Sequence, residues 1–476
     1  MHFVINLPYN YPVQNDSKKN NSVPSQSELV NLLNYFQNEQ YDLAEKTASV
    51  LSEKFPNHPF AWTVLGAVFN QTGKLDLALT ACQKAAMLEP GKAEAHNNLG
   101  NTLLKLGRLE EAEKSCRHAI AVEPKNALAH SNLGQILFRL QRLDEAEDSF
   151  RNAISLKNNN AQAYFNLGNT LKALGRYKEA EFCYDKTIKI NPDYSEAIMM
   201  RGGLLFERGD FESALEDFDS CNNARSRARS LITLYALGRF GEIYKRISNL
   251  SETDDKNLRI AAFSSFLNAT EEKNTQYNFC DNPLDFIYFS NISSHIKNSN
   301  IFIEETINEL KEIKTIWEPL GKTTVKGFQS NNIFQNPSEK LKSLKSIILD
   351  EIQSYYSKFQ NEACTYIQKW PSNIDIRGWH VILKKHGNQN EHIHPGGWLS
   401  GVIYLKVVPG FEENEGAIEF GLNSDQYFNE NSPSSFYQPK LGDIVLFPSS
   451  LHHKTIPFSS DSDRIVVAFD LKANPN

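Results

Sequence analysis

"EAHNNLGNTLLKLGRLEEAEKSCRHAIAVEPKNA", residues 94–127, holds two apolar-periodic runs separated by Gly107 and closed by Pro124. The first run predicts a helix to Leu106. The second predicts a helix from near Leu109 that ends before Pro124, because proline cannot continue a helix. Gly100 and Ala112 are small where two such helices must approach closely. The same pattern extends on both sides. Gly66, Gly100, Gly134, Gly168 and Gly202 are spaced by 34 residues, as are Ala44, Ala78, Ala112, Ala146, Ala180 and Ala214. Pro56, Pro90, Pro124 and Pro192 keep the register, with Asn158 in the remaining slot. Three residue types held in phase define an array of helical hairpins. Six units are expected over 26–229, after an N-terminal extension of residues 1–25. A seventh, "SLITLYALGRFGEIYKRI" (230–247), is trimmed: Gly209 to Gly238 is 29 residues. It reads as a cap over the last apolar face, ending the array at 249.

Asn98, Asn132 and Asn166 share one slot of the repeat, followed three residues later by Asn101, Gln135 and Asn169. Residues i and i+3 share a helix face, so stacked repeats would form a ladder of amides. Amides donate and accept hydrogen bonds, so such a ladder suits an extended peptide backbone; bridging neighbouring repeats is the alternative use. Spacing and small residues together resemble the tetratricopeptide repeat, and the array of O-GlcNAc transferase has a similar asparagine ladder on its concave face. The resemblance implies an all-α superhelix and a protein or peptide partner. The lysine and arginine set with which some members clamp a C-terminal carboxylate is not apparent.

Bulk properties narrow the class. Of 476 residues, 40% are hydrophobic and 22% charged, with a net charge of −7. That is an ordinary globular composition without the basic excess of a nucleic-acid binder. No apolar run reaches the length of a membrane span, and the start, "MHFVINLPYNYPVQND", lacks the plan of a secretory leader. Six scattered cysteines without a CxxC fit a reducing compartment, so a cytoplasmic location is expected.

Beyond Ile247 the repeat register is lost, and a polar stretch places a linker at 250–282. "LDFIYFSNI" reads as a strand or short buried element. Helices are expected at about 302–314 and 337–359, with Asn336 and Pro337 as start signals for the second, and "TTVKGFQSNNIF" looks extended between them. From Ile376, short alternating runs are separated by Gly, Pro, Asn and Ser: "GWHVILKK", "LSGVIYLKVV", "GAIEFGL", "DIVLFPS", "HKTIPF" and "RIVVAFDL". They predict a small double-layered β-sandwich of the jelly-roll kind.

In "EHIHPGGWLSGVIYL" (391–405), His392 and His394 flank one residue, and i, i+2 side chains of an extended segment point the same way. "LFPSSLHHKTIPF" adds His452 and His453, and Arg464 stands eleven residues past His453. Three histidines suit Zn²⁺ as well as Fe²⁺. The constellation resembles the iron(II)- and 2-oxoglutarate-dependent oxygenases, and in particular a bacterial subgroup sharing H-x-H-P, S-G-V-x-Y-L and F-P-S-x-L-x-H-x-x-x-P motifs. The resemblance covers about 283–474, the expected oxygenase domain. It implies a mostly-β double-stranded β-helix with flanking helices. It also implies Fe(II) held by His392, His394 and His453, and 2-oxoglutarate held by Arg464 and Tyr404, with dioxygen as the other substrate. Registering the turn so that Pro457 lies four residues past the ligand selects His453 over His452. His394 departs from the family pattern, which has Asp or Glu there; Glu391 or Glu419 is the alternative source of a carboxylate.

The chain is thus expected to be multidomain: a helical array followed by a jelly-roll enzyme. Animal collagen prolyl hydroxylases and aspartyl β-hydroxylases also join such helices to such a catalytic unit. The analogy of architecture suggests hydroxylation of a protein or peptide recruited by the array. An oxygenase for a small molecule or sugar, or a non-catalytic scaffold, are the alternatives.

Overall fold

The computed structural model describes residues 23–271, 273–319, 321–410 and 412–473, so most of the extension 1–25 lies outside the described residues. The chain divides after Leu204 into two compact units.

The first unit is a run of helix pairs, such as Ala93–Lys105 with Leu109–Val122 and Ala127–Arg139 with Leu143–Leu156. The in-phase glycines are explained by what each touches. A Cβ on Gly100 would lie 2.5 Å from Cys116 Sγ, and one on Gly134 would lie 2.7 Å from the Phe150 ring. The second helix of each pair therefore presses a side chain against a bare backbone. The hairpin turn needs a left-handed residue: Gly107 has φ 77°, and Gln141, one repeat on, takes φ 61° without being glycine. Asn126 and Asn160 begin the following helices, their side chains accepting from Ala129 N (3.0 Å) and Ala163 N (3.1 Å).

The second unit opens with the helices Phe211–Cys221, Ala224–Ala236 and Phe240–Thr253. The shortened spacing has a local cause. Phe211–Cys221 is 11 residues where its counterparts have 14, and it ends at Asn222 in the left-handed region (φ 41°). Asn223 then caps the next helix at once, accepting from Arg225 N and Ser226 N. One expectation is corrected here: residues 250–282 are not a plain linker. Leu258–Thr270 is a further helix, with Leu258, Ile260, Phe263, Phe266 and Leu267 all buried, and Tyr277, Phe279 and Cys280 are buried after it. A helix covered nearly all round carries no amphipathic stripe, so the sequence pattern did not announce it. These residues share one apolar core with Leu215 at one end of the unit and Leu471 at the other.

Among its described residues the rest of the unit holds ten strands: β1 (Tyr288–Asn291), β2 (Thr315–Trp317), β3 (Thr324–Ser330), β4 (Ile374–Gln389), β5 (Leu399–Lys406), β6 (Ile418–Gly421), β7 (Ser434–Tyr437), β8 (Asp443–Pro448), β9 (His452–Thr455) and β10 (Arg464–Ala473). A seven-stranded sheet in the order β1-β8-β5-β10-β4-β3-β2 accompanies a three-stranded sheet, β7-β6-β9. All the pairings are antiparallel. This is the two-sheet plan expected of a jelly roll. The flanking helices Ser299–Lys311 and Glu339–Phe359 fall close to the predicted bounds, the second capped by Ser338, whose hydroxyl accepts from Leu341 N. Two strands were not foreseen: β2 has three residues, and β7 is exposed along most of its length and shows no alternation.

Candidate metal centre

Strand β10 positions most of the site. It pairs with β4 on one side and β5 on the other, setting Arg464 opposite Leu383, Val466 opposite Tyr404, and Asp470 opposite both Arg377 and Ser400. Side chains alternate along a strand, so Arg464 and Asp470 share a face with Ser400 and Tyr404 of β5 and Trp379 of β4.

His392 and His394 lie in the connection between β4 and β5 rather than in a strand, and His392 makes an isolated bridge to His453 on β9. The two residues exchange backbone hydrogen bonds, N to O at 3.1 Å in each direction. His394 N donates to Ser449 O (2.9 Å), and the Pro-Gly-Gly turn closes as Gly397 N donates to His394 O (2.9 Å). A Cβ on Gly397 would lie 2.6 Å from Ser449 Oγ, which accounts for that glycine.

The three rings are held in one sense. Nδ1–H of His392 donates to Asn390 O (2.7 Å), that of His394 to Asp470 Oδ1 (2.6 Å), and that of His453 to Leu451 O (3.1 Å). Each ring therefore turns its Nε2 lone pair away from its anchor, and one nitrogen from each ring lies within 4.8 Å of the others. The Nε2 atoms of His392 and His394 are 3.1 Å apart. Adjacent ligands about 2.1 Å from one ion at right angles would be about 3 Å apart, so the donor set fits a metal as placed. Burial lowers the pKa of His392 to about 3 and holds His453 well below the usual imidazole range. Both are neutral at ordinary pH, the form that binds a cation. Trp379 stacks on His394 (5.7 Å between centroids) and Phe447 packs edge-on against His453 (4.6 Å).

Asp470 was not foreseen from the sequence. Its carboxylate accepts from His394 and from Ser400 Oγ (2.8 Å), and Ser400 is in turn 2.8 Å from Ser449 Oγ. The charge absent at position 394 therefore stands one hydrogen bond behind the ring. Glu391 and Glu419, the alternative carboxylates, are outside the three-histidine cluster. Glu391 Oε1 is 3.4 Å from His452 Nδ1, and Glu419 pairs with Lys454 (2.9 Å). His452 turns away from the cluster and meets the Tyr427 hydroxyl through Nε2 at 2.8 Å. Tyr427 packs on Phe263 and Phe266, so the unforeseen helix buttresses the loop beside the centre.

Arg464 is 2% exposed, and its Nε and Nη1 have no partner; the Tyr404 hydroxyl beside it has none either. The guanidinium carbon sits 5.0 Å from the Tyr404 ring centroid. Burial pushes the Tyr404 phenol up to about 12 and pulls the guanidinium below its usual range. A buried cation without a counter-ion costs several kcal/mol. A cation fork and a hydroxyl donor together call for a carboxylate. A cavity of about 210 Å³, lined by Glu391, Glu419, Phe428, Glu430, His453 and Lys454 among others, opens on the His453 side.

The repeat amides have mixed uses. Asn132 Nδ2 donates to Asn97 Oδ1 of the preceding repeat (2.9 Å), the bridging role, and Asn169 Oδ1 accepts from the Tyr184 hydroxyl (2.9 Å). Asn166 Oδ1 accepts from Gln162 (3.1 Å), while Asn98 Nδ2, Asn101 Oδ1 and Asn166 Nδ2 are buried without partners. Gln135 is half-buried.

With this geometry in place, the comparisons give the class. Residues 377–470 match the family described as "Putative 2OG-Fe(II) oxygenase", and residues 31–95, 97–161 and 161–194 match tetratricopeptide repeat families. The chain carries tetratricopeptide repeats and, C-terminal to them, a domain that matches this putative oxygenase family. No curated protein matches it. Among solved structures, Pseudomonas aeruginosa pilF is 21% identical, covering 43% of this chain and 96% of that one at a TM-score of 0.39. A thermophilic TPR protein of Thermus thermophilus is 21% identical, covering 38% and 98% at 0.34. YrrB, described as a TPR protein with an unusual peptide-binding site, is 20% identical, covering 37% and 90% at 0.32. Among the described residues no helix is long and apolar enough to cross a membrane.

Proposed function

We propose that this protein is an iron(II)- and 2-oxoglutarate-dependent dioxygenase that hydroxylates a side chain of a protein or peptide recruited by its repeats. The observation that carries the reading is the three-imidazole cluster with every Nδ1 anchored and one nitrogen of each ring within 4.8 Å of the others. His392, His394 and His453 would hold the metal on one face, leaving positions for a bidentate 2-oxo acid and dioxygen. Bound Fe(II) supplies oxidation of a C–H bond coupled to conversion of 2-oxoglutarate to succinate and carbon dioxide. Arg464 would hold the distal carboxylate of 2-oxoglutarate with its guanidinium, and Tyr404 would donate its hydroxyl to the same group, which would satisfy the orphaned atoms. Asp470 fixes the tautomer and plane of His394. Phe447, Trp379 and the walls of β5 and β8 exclude water from the metal side. Asn98 Nδ2, Asn101 Oδ1 and Asn166 Nδ2 are the partnerless atoms of the ladder that remain to read a backbone.

The test is an anaerobic titration of the apo-protein with Fe(II) and 2-oxoglutarate, followed by the visible charge-transfer band. The band is expected in the wild type, together with slow succinate formation on admitting air, and both should vanish in His453→Ala. A protein that binds no iron, or whose His453→Ala variant keeps its iron, is not this enzyme.

A further inference from the structure

Beyond the metal centre, the second unit carries a group of three arginines. Counted from its start, the first helix of each repeat places Asn98, Asn132 and Asn166 sixth, and in Ala224–Ala236 that position is Arg229. The second position of the same helix is Arg225, and the second position of Leu258–Thr270 is Arg259. Arg225 and Arg229 are i, i+4 and share a face.

None of the three guanidiniums makes an ion pair or hydrogen bond among the described residues, whereas those of the nearby Arg227, Arg239 and Arg246 are all paired, with Asp254, Glu242 and Asp219. Arg229 and Arg259 are only partly exposed. Burial and mutual repulsion with Arg225 pull both guanidiniums below their usual range; Asp425 and Glu207 are the carboxylates that act on Arg229 in the opposite sense. Three like charges gathered without partners are unfavourable unless an anion visits them.

Their location says which anion. Asp425 belongs to the loop whose Asn423 and Phe428 line the cavity beside His453, and Phe428 is 70% exposed there. Phe263, one turn on from Arg259, contacts Tyr427 of the same loop at 5.1 Å between centroids. The cationic patch therefore stands next to the mouth of the metal centre, on the helix face that carries amides in earlier repeats. Guanidinium forks match carboxylates. Nucleic acid is disfavoured by a net charge of −7 and by the small size of the patch.

We propose that Arg225, Arg229 and Arg259 form a docking site for acidic side chains of the polypeptide substrate, next to the residue that enters the cavity. The word substrate rests on the oxygenase reading, but the binding does not. The experiment measures fluorescence anisotropy of labelled, C-terminally amidated peptides with the full-length apo-protein. An alternating Glu-Gly peptide is expected to bind, more weakly as salt rises. The isosteric Gln-Gly and the Lys-Gly peptides are expected not to. Arg229→Ala/Arg259→Ala should lose about tenfold in affinity, and Arg229→Lys/Arg259→Lys should lose less. The exposed Arg225→Ala, which leaves the buried pair in place, gives a reading should the double variant fail to fold. His453→Ala should bind the Glu-Gly peptide as the wild type does, so a failed oxygenase assay leaves this result standing. Equal binding of the Gln-Gly peptide, indifference to all the arginine changes, or tighter binding of a single-stranded oligonucleotide would overturn the proposal.

Discussion

At position 394 the chain has an imidazole where the family it resembles has a carboxylate, and Asp470 returns the charge through a 2.6 Å hydrogen bond to Nδ1. A carboxylate behind a ligating histidine raises the basicity of the ring and fixes its plane. Asp470→Asn is therefore expected to weaken Fe(II) affinity about 10- to 100-fold, read by metal titration, with the thermal midpoint little changed. His394→Asp tests the same relation from the other side. Alone it sets two carboxylates against each other, so metal binding should fall further than in His394→Asp/Asp470→Asn, where the repulsion is removed. Equal losses in the single and double variants would mean that Asp470 does not act through position 394. The histidines, Arg464 and Tyr404 could be singled out in the sequence from their spacing and the motifs they resemble, although His392 and His394 lie in a connection and not on a strand. Asp470 was not, because its role depends on cross-strand register with Ser400 and on a loop 76 residues earlier. The one sign it left was an acidic residue inside the apolar run "RIVVAFDL".

At the scale of elements, the repeat helices were legible from periodicity, and the reason is physical: Gly66, Gly100, Gly134 and Gly168 each face a side chain. The contacts are not equivalent. At Gly100 the one atom under 3 Å is the Cys116 thiol, with the Ala112 carbonyl at 3.3 Å, whereas at Gly134 three atoms of the Phe150 ring lie within 2.9 Å, the ring itself 1% exposed and without room to retreat. Gly134→Ala is expected to destabilise the array by about 1–3 kcal/mol despite the better helix propensity of alanine, and Gly100→Ala by less, both read by thermal unfolding. Strand β4 carries a second point. Trp379 faces His394, so His380 faces away, fully buried with both ring nitrogens unpartnered and its pKa lowered to about 4 by burial. His392 is lowered to about 3 for the same first reason. A histidine held neutral in the fold but free to protonate when unfolded stabilises fully above its ordinary value of about 6.5; that contribution is lost as pH falls toward the folded value. The apo-protein should therefore lose thermal stability steadily between about pH 6.5 and pH 4. His380→Leu should flatten that slope without touching the metal site, and an unchanged slope would show that His380 contributes nothing to it.

For the whole molecule, the point at issue is where the catalytic unit begins. Loss of the 34-residue register and a polar composition set the boundary near residue 283, since nothing in "NLRIAAFSSFLNAT" repeats and a helix covered nearly all round has no stripe to betray it. The compact unit that holds the β-strands begins after Leu204. Phe263, Phe266, Tyr277, Phe279 and Cys280 are each 3% exposed or less and belong to the core that includes β5, β8 and β10. Tyr277 also donates its hydroxyl to Asp254 O, which ties the preceding helix in. Each such aromatic contributes on the order of 2 kcal/mol on burial, and a domain is stable by only about 5–15 kcal/mol. Removing four of them is comparable to the whole margin. A fragment starting at residue 283 is therefore expected to be insoluble or to lack a cooperative transition, whereas one starting at residue 205 should unfold cooperatively and titrate with Fe(II) as the full chain does. The comparison also bears on Tyr427, which holds His452 on one side and leans on Phe263 and Phe266 on the other. If the shorter fragment folded and bound iron with unchanged affinity, the helix Leu258–Thr270 would be a passive cover and not a support for the mouth of the metal centre.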